Sequence, residues 1–229
     1  MRLVLFWIKL IPYLPWIYFN AKKAAKLPFG DRYPMLRKTA RKIVAINKLD
    51  VEAIGINNIP LNDGFLFVGN HQGTTDAFVF TEACSIPITA VSKIEANKIP
   101  FLSAWYKAME VIFFNRDSLK DAVRMANQLS DYLKLGRNVL IFPEGTRSRS
   151  QKMNEFKPGS FKGAIKAKAP IIPFAFVNAY IPLDSKEKKK KIKVVFDQPI
   201  HYEEYQDWST LDLAKEVQAR IQTMIDENL

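Results

Sequence analysis

Apolar residues fall into two rhythms along this chain. Short unbroken runs occur at Ile54–Ile56, Phe65–Val68, Ile88–Val91, Val111–Phe114, Val139–Phe142, Ile171–Val177 and Ile192–Phe196. Runs of this length, rich in β-branched and aromatic residues and bounded by polar or turn residues, predict strands buried on both faces. Between them the apolar positions recur every three or four residues, the spacing of an amphipathic helix. The clearest case is Ser118 to Leu135, where Ala122, Ala126, Leu129 and Leu133 make one stripe. There Ser118 and Asp121 have capping-box spacing, and Gly136 stops the helix. Other helices are predicted after Asp76, around Trp105 and Tyr106, over Phe161 to Lys168, and from about Ser209, burying Leu213, Val217, Ile221 and Met224. Strands alternating with helices predict an α/β domain whose central sheet is mostly parallel and flanked by helices.

The first fifty residues follow neither rhythm simply. Leu3 to Phe19 is the most hydrophobic window, but Lys9, Pro12 and Pro15 interrupt it. It is shorter than the run of about 20 apolar residues that a spanning helix needs, and prolines kink or break helices. Trp7, Tyr13, Trp16 and Tyr18 are the aromatics that settle at headgroup level. The window therefore reads as a re-entrant or interface-lying anchor. It carries no small-residue cleavage site of the A-x-A kind, so a removable signal peptide is not expected. Lys22, Lys23, Lys26, Arg32, Arg37, Lys38, Arg41, Lys42 and Lys48 follow, against the single acid Asp31. Leu36, Ala40, Ile43 and Val44 repeat at helical spacing and leave Arg37, Lys38, Arg41 and Lys42 toward another face. A basic amphipathic helix beside an aromatic anchor predicts binding to an anionic membrane surface from one side. The expected division is a membrane-anchoring helical motif over residues 1–49 and an α/β domain over 50–229. Lys186 to Lys193 is a charge run expected to form an exposed loop.

Composition narrows the chemistry. With 229 residues, 48% of them hydrophobic, the chain can bury a substantial core. A net charge of +11 calls for an anionic partner: nucleic acid, membrane or a phosphorylated substrate. Cys84 is the single cysteine, which excludes an internal disulfide, and two histidines beside it give no basis for a zinc site. Cys84 reads as a small core residue on the reduced, cytoplasmic side of a membrane.

Three of the predicted strands end in polar residues. Phe65–Val68 runs into Asn70-His71 with Asp76 five residues on; Val111–Phe114 runs into Arg116; Val139–Phe142 runs into Glu144-Gly145-Thr146-Arg147. Strand ends of this kind are where open α/β sheets place ligands. A His–Asp pair suits removal of a proton from a substrate hydroxyl, with the aspartate fixing the imidazole tautomer. Arginine matches phosphate oxygens, and glycine lets backbone approach a ligand closely. No G-x-S-x-G elbow and no G-x4-G-K-[ST] loop occurs, so neither a serine hydrolase nor a nucleotide-binding P-loop is indicated. A non-enzymatic basic membrane-binding protein would account for the charge but leave the His–Asp pair unexplained.

These residues resemble the motifs of the glycerolipid acyltransferase family, whose best-known members make phosphatidic acid from lysophosphatidic acid. N-H-x4-D is met by Asn70-His71 and Asp76, and F-P-E-G-T-R-S by Phe142 through Ser148. Glu110 through Arg116 resembles the family's apolar run closing on arginine, and Ile171-Ile172-Pro173-Phe174 its V-P-V-like strand. The resemblance covers roughly residues 52 to 200. It departs at Glu110, where the family usually has glycine. The resemblance implies transfer from acyl-CoA or acyl-carrier protein to lysophosphatidic acid, or alternatively to another lysophospholipid or glycerol-3-phosphate. No cofactor, metal or nucleic-acid partner is expected. By the same carry-over His71 is the general base and Asp76 its orienter, while Arg116, Glu144, Gly145, Thr146 and Arg147 line the acceptor-phosphate site. Lys93, a basic residue after an apolar run, is a further phosphate candidate. His201 lies outside every motif and is expected to be structural or exposed.

Overall fold

A computed structural model describes residues 8–60, 64–98, 100–180 and 190–229. It contains a seven-stranded sheet: β1 (Leu49–Ile54), β2 (Leu66–Gly69), β3 (Ile88–Lys93), β4 (Ile112–Phe114), β5 (Asn138–Ile141), β6 (Ile171–Val177) and β7 (Lys190–Phe196). The order across the sheet is β1-β7-β6-β2-β5-β3-β4. Only β6 and β7 run antiparallel; every other neighbouring pair is parallel. The expected mostly parallel sheet is what forms.

Period-two alternation sorts the strands' side chains to two faces. Phe65, Phe67, Leu140, Ile172, Phe174, Phe176, Val194 and Phe196 fill one core, and Leu66, Val68, Val139, Ile141, Ala175, Val177 and Val195 the other. The second core is covered by α5 (Leu119–Lys134), α6 (Lys162–Ala167) and α8 (Thr210–Glu227). The predicted stripe of α8, Leu213, Val217, Ile221 and Met224, is buried there. Ser118 caps α5 by accepting from the Asp121 N–H at 3.2 Å. The Asp121 carboxylate does not complete a capping box; it accepts from the Asn115 N–H at 3.0 Å and so holds the chain leaving β4.

The first core is covered by α1 (Leu14–Ala24), α2 (Phe29–Ile46), α3 (Asp76–Ala83) and α4 (Pro100–Ala108). Helices α1 and α2 form a hairpin, tied by the Asn20 amide donating to Thr39 Oγ1 at 2.6 Å and to the Met35 carbonyl at 3.1 Å. Ile17, Ala21 and Ala24 of α1 and Leu36, Ala40, Ile43 and Val44 of α2 are buried against α3, α4 and the sheet. The hairpin thus shares its core with the α/β domain. The opposite side of the N-terminal segment exposes Ile8, Ile11, Trp16 and Phe19 at 51%, 57%, 39% and 67%. The expected anchor begins at Leu3, and its first five residues lie outside the described ones. Among the described residues no helix is long and apolar enough to cross a membrane.

Three expectations change in detail. The first strand is Leu49–Ile54, earlier than Ile54–Ile56, because Gly55 turns left-handed at φ 70° and starts a 3-10 turn over Ile56–Asn58. Of the four cations expected on one face of α2, Arg37 donates to the Glu82 carbonyl at 2.9 Å and Arg41 pairs with the Glu82 carboxylate at 3.1 Å. Lys38 and Lys42 remain exposed. The first half of the Lys186–Lys193 run lies outside the described residues, and Lys190 onward is already strand. Cys84 is a core residue as expected, its thiol pushed up to about 11 by burial.

Candidate active site

Strand β2 leaves the sheet at Gly69, and Asn70 continues its pairing with a side chain. Its amide donates to the Phe176 carbonyl at 2.9 Å and accepts from the Phe176 N–H at 2.7 Å. This holds the turn that carries His71 over the carboxyl edge of the sheet, next to β5. His71 Nδ1 lies 2.7 Å from Asp76 Oδ2. Asp76 opens α3 and is buried, and its carboxylate also accepts from the N–H groups of Gln72 at 2.7 Å and Gly73 at 2.9 Å. A carboxylate bound this way presents an acceptor to Nδ1, which fixes the proton on Nδ1 and leaves the Nε2 lone pair free. The imidazole stacks on Phe142, ring centroids 4.6 Å apart and planes at 13°, and makes no hydrogen bond at Nε2 among the described residues.

The loop after β5 lies alongside this turn. Glu144 is buried; one oxygen accepts from the His71 N–H at 2.7 Å and the other from the Asn154 N–H and side-chain amide, both at 2.8 Å. Burial raises its pKa, and the His71 and Asn154 hydrogen bonds oppose that rise. The Ser148 N–H donates to the His71 carbonyl at 2.8 Å. Arg147 Nη1 donates to Thr74 Oγ1 at 2.6 Å, which brings a guanidinium to the turn that bears His71. Gly145 makes the bend between Glu144 and Arg147 at φ 68°, a left-handed conformation that glycine adopts without strain, and Thr146 is exposed beside it.

His71, Asp76, Glu144, Gly145, Thr146 and Arg147 are therefore together. Lys93 and Arg116 are not in contact with them. Lys93 ends β3, and Arg116 lies two residues beyond β4; both are exposed. β4 stands three strand spacings from β2, about 14 Å. The strand ends do share one edge, but β3 sits between β5 and β4, so Arg116 lies on the far rim. Partial burial lowers the Arg116 pKa, and Glu95 and Asp117 counter that.

Residues that the motifs did not flag complete the scaffold. Buried Gln72 accepts from the Ala179 N–H at 2.9 Å and donates to the Ser150 carbonyl at 3.0 Å and Gln151 Oε1 at 3.1 Å. Thr74 sits in the unspecified spacer of the His–Asp motif, where spacing carries no signal. Asn70, Phe142 and Ser148, which hold the histidine's turn and ring, were visible in the sequence as letters of the two motifs. His201 is exposed at the start of a short helix, α7 (Tyr202–Tyr205), and stays outside the site. Among the described residues no group of three or more His, Cys, Asp or Glu gathers to hold a metal ion.

A family model described as Acyltransferase matches residues 50–177, from β1 through β6. The chain belongs to the acyltransferase family. Among its relatives, the 1-acyl-sn-glycerol-3-phosphate acyltransferase of Borreliella burgdorferi is 31% identical over 144 residues, covering 63% of this chain and 58% of that protein. The probable 1-acyl-sn-glycerol-3-phosphate acyltransferase of Mycoplasma pneumoniae is 27% identical over 203 residues, covering 80% of this chain and 75% of that one. The crystal structure of the 1-acyl-sn-glycerophosphate (LPA) acyltransferase PlsC from Thermotoga maritima superposes with a TM-score of 0.78 at 23% identity, covering 99% of this chain and 95% of that one. The fold of this acyltransferase, N-terminal hairpin included, is thus one seen before.

Proposed function

We propose that this acyltransferase moves a fatty acyl group from an acyl thioester, acyl-CoA or acyl-carrier protein, to the free hydroxyl of lysophosphatidic acid, giving phosphatidic acid. The observation that carries the reading is the free Nε2 of His71, whose turn also holds Arg147 through Thr74. Nε2 takes the proton of the acceptor hydroxyl as its oxygen attacks the thioester carbonyl. Asp76, fixed by two backbone N–H groups, stabilises the imidazolium that forms. The tetrahedral intermediate collapses by breaking the C–S bond, and the imidazolium returns the proton to the leaving thiolate. The products are the new ester and a free thiol, and the imidazole is neutral again. No enzyme nucleophile is needed, because the substrate hydroxyl fills that place.

Arg147 offers its remaining guanidinium N–H groups to the acceptor phosphate, which lies one carbon from the reacting hydroxyl in lysophosphatidic acid. Gly145 and Thr146 form the wall beside it, and Lys93 and Arg116 add positive charge from the rim. Glu144 acts on the loops, since both its oxygens are occupied and a carboxylate repels phosphate. The Borreliella and Mycoplasma relatives are named for the same acceptor, which supports this reading.

The exposed Ile8, Ile11, Trp16 and Phe19, with Lys22 and Lys23 at the end of α1, form the face that meets an anionic leaflet from the cytoplasmic side. The test is to incubate purified protein with lysophosphatidic acid, other lysophospholipids and glycerol-3-phosphate, each with both donor types, and to identify products by mass spectrometry. Phosphatidic acid as the main product is expected. Preference for another acceptor, or no transfer at all, overturns the reading.

A further inference from the structure

We propose that Glu110 is a positioning residue that fixes the angle of the N-terminal hairpin on the catalytic domain, and so the depth at which the crevice meets the membrane-bound acceptor. This rests on the membrane-docking reading above. Glu110 lies between α4 and β4 with φ 52°, a left-handed conformation that a long side chain rarely adopts. Such a residue persists only where its surroundings over-determine it, and a strained position held this way points to a role.

Its carboxylate is held from two sides. Arg32 Nη1 of α2 pairs with one oxygen at 2.7 Å, and Arg137, just before β5, pairs with the other. Arg32 also donates to the Leu27 carbonyl in the hairpin elbow at 2.7 Å and to the Ala108 carbonyl at the end of α4 at 3.4 Å. The Arg137 guanidinium lies between the rings of Phe29, the first residue of α2, at 4.7 Å and Tyr132 of α5 at 4.8 Å. The Glu110 backbone is anchored in turn, its carbonyl accepting from Thr89 Oγ1 of β3 at 2.8 Å. Glu110 therefore joins the hairpin elbow, through Arg32, to β3, through its own carbonyl, and to α5, through Arg137.

Among the described residues, the hairpin's other polar ties to the domain go to α3 and its end: Arg37 to the Glu82 carbonyl, Arg41 to the Glu82 carboxylate, and Tyr33 Oη to the Cys84 carbonyl at 3.2 Å. The mount thus has two points. Apolar packing of α1 on α4 permits sliding; the ion pairs at the elbow do not. With Glu110 removed, the hairpin keeps its grip on α3 and pivots about it. The docking face still finds the membrane, but the crevice meets it at a different height.

The test compares wild type with Glu110→Gly, which removes the carboxylate at a φ that glycine accepts freely, and Glu110→Gln, which keeps the shape without the charge. Each is assayed on long-chain lysophosphatidic acid embedded in vesicles of phosphatidylcholine and phosphatidylglycerol, and on a short-chain analogue dissolved as monomers. Turnover on vesicles is expected to fall about 10- to 100-fold, the loss that misplacement by about an ångström produces, while turnover on the dissolved acceptor stays within about twofold. Vesicle flotation is expected to persist. Equal loss on both acceptors, or no loss on vesicles, overturns the proposal, and loss of flotation shows that Glu110 serves binding and not aim. Wild type inactive on both acceptors defeats the functional reading instead, and wild type that does not float defeats the membrane reading.

Discussion

At His71 the main chain is held on both sides of the side chain: Glu144 takes its N–H and Ser148 gives to its carbonyl. The imidazole's aim is set by these bonds and by Asp76, so different substitutions fail in different ways. His71→Ala is expected to lower turnover about 10²- to 10⁴-fold with the fold intact, as loss of a general base does. Asp76→Asn is expected to be about as severe, because an amide that turns its NH₂ to Nδ1 imposes the wrong tautomer; circular dichroism separates either from unfolding. Arg147→Ala removes charged hydrogen bonds worth roughly 1.5–3 kcal/mol, and steady-state kinetics is expected to show the acceptor KM rising more than the donor KM. Glu144 makes stability depend on pH. Its folded pKa is raised, so the folded state binds the proton more tightly than the unfolded chain, and its contribution is fully present below the ordinary value of 4.5. That contribution is lost as pH climbs through the raised value. Glu144→Gln is expected to remove this fall from urea unfolding measured across the acid range. It is also expected to weaken the protein by about 1–3 kcal/mol at neutral pH, because its NH₂ meets either the His71 or the Asn154 N–H. The residues that act at a distance from their motif letters, Thr74 and Gln72, were illegible in the sequence, because a spacer position is chosen by the loop across from it.

Among the elements, strands β2, β3, β5, β6 and β7 and helices α5 and α8 were readable, since burial on one stripe or on both faces leaves a periodic trace. What periodicity missed was which strands are neighbours. Arg116 follows an apolar run as plainly as Glu144 does, yet β3 separates the two. Strand order is settled by crossover packing between distant segments, which no local pattern records. Gly55 and Glu110 show the same limit at element ends, where a left-handed φ moved a boundary or bent the chain. Glycine at the end of β2 has a plainer cause. A Cβ on Gly69 would lie 2.2 Å from the Phe174 ring, itself packed against Phe80, Phe142, Phe176 and Phe196. Gly69→Ala is therefore expected to destabilise by about 1–3 kcal/mol through overpacking, read as a lower urea midpoint, and to reduce turnover by moving the turn that carries His71.

For the whole molecule, the N-terminal hairpin combines two contrasting faces. One is continuous with the core and the other leaves aromatic and aliphatic side chains in solvent. Phe19→Glu with Trp16→Glu is expected to abolish flotation with anionic vesicles while leaving the thermal midpoint nearly unchanged, since neither ring is buried. Raising ionic strength is expected to weaken wild-type flotation, because each lysine near an anionic leaflet is worth about 1 kcal/mol and salt screens it. Unchanged binding in both experiments argues against this face as the docking surface. The amphipathic character of these residues was legible, but the inward grip of Arg37 and Arg41 was not, because Glu82 lies about 40 positions away. The strand order also bears on how the molecule is made. Strand β1 has one neighbour, β7, synthesised some 140 residues later, so β1 and the hairpin that precedes it leave the ribosome long before their place in the sheet exists. At about 5–20 residues per second the delay is many seconds, and for its first part, until α3 and α4 emerge, the inner faces of α1 and α2 lack the core they will join. A lipid surface that receives the hairpin early would shelter it during that wait, making the membrane a participant in assembly before it is a source of acceptor.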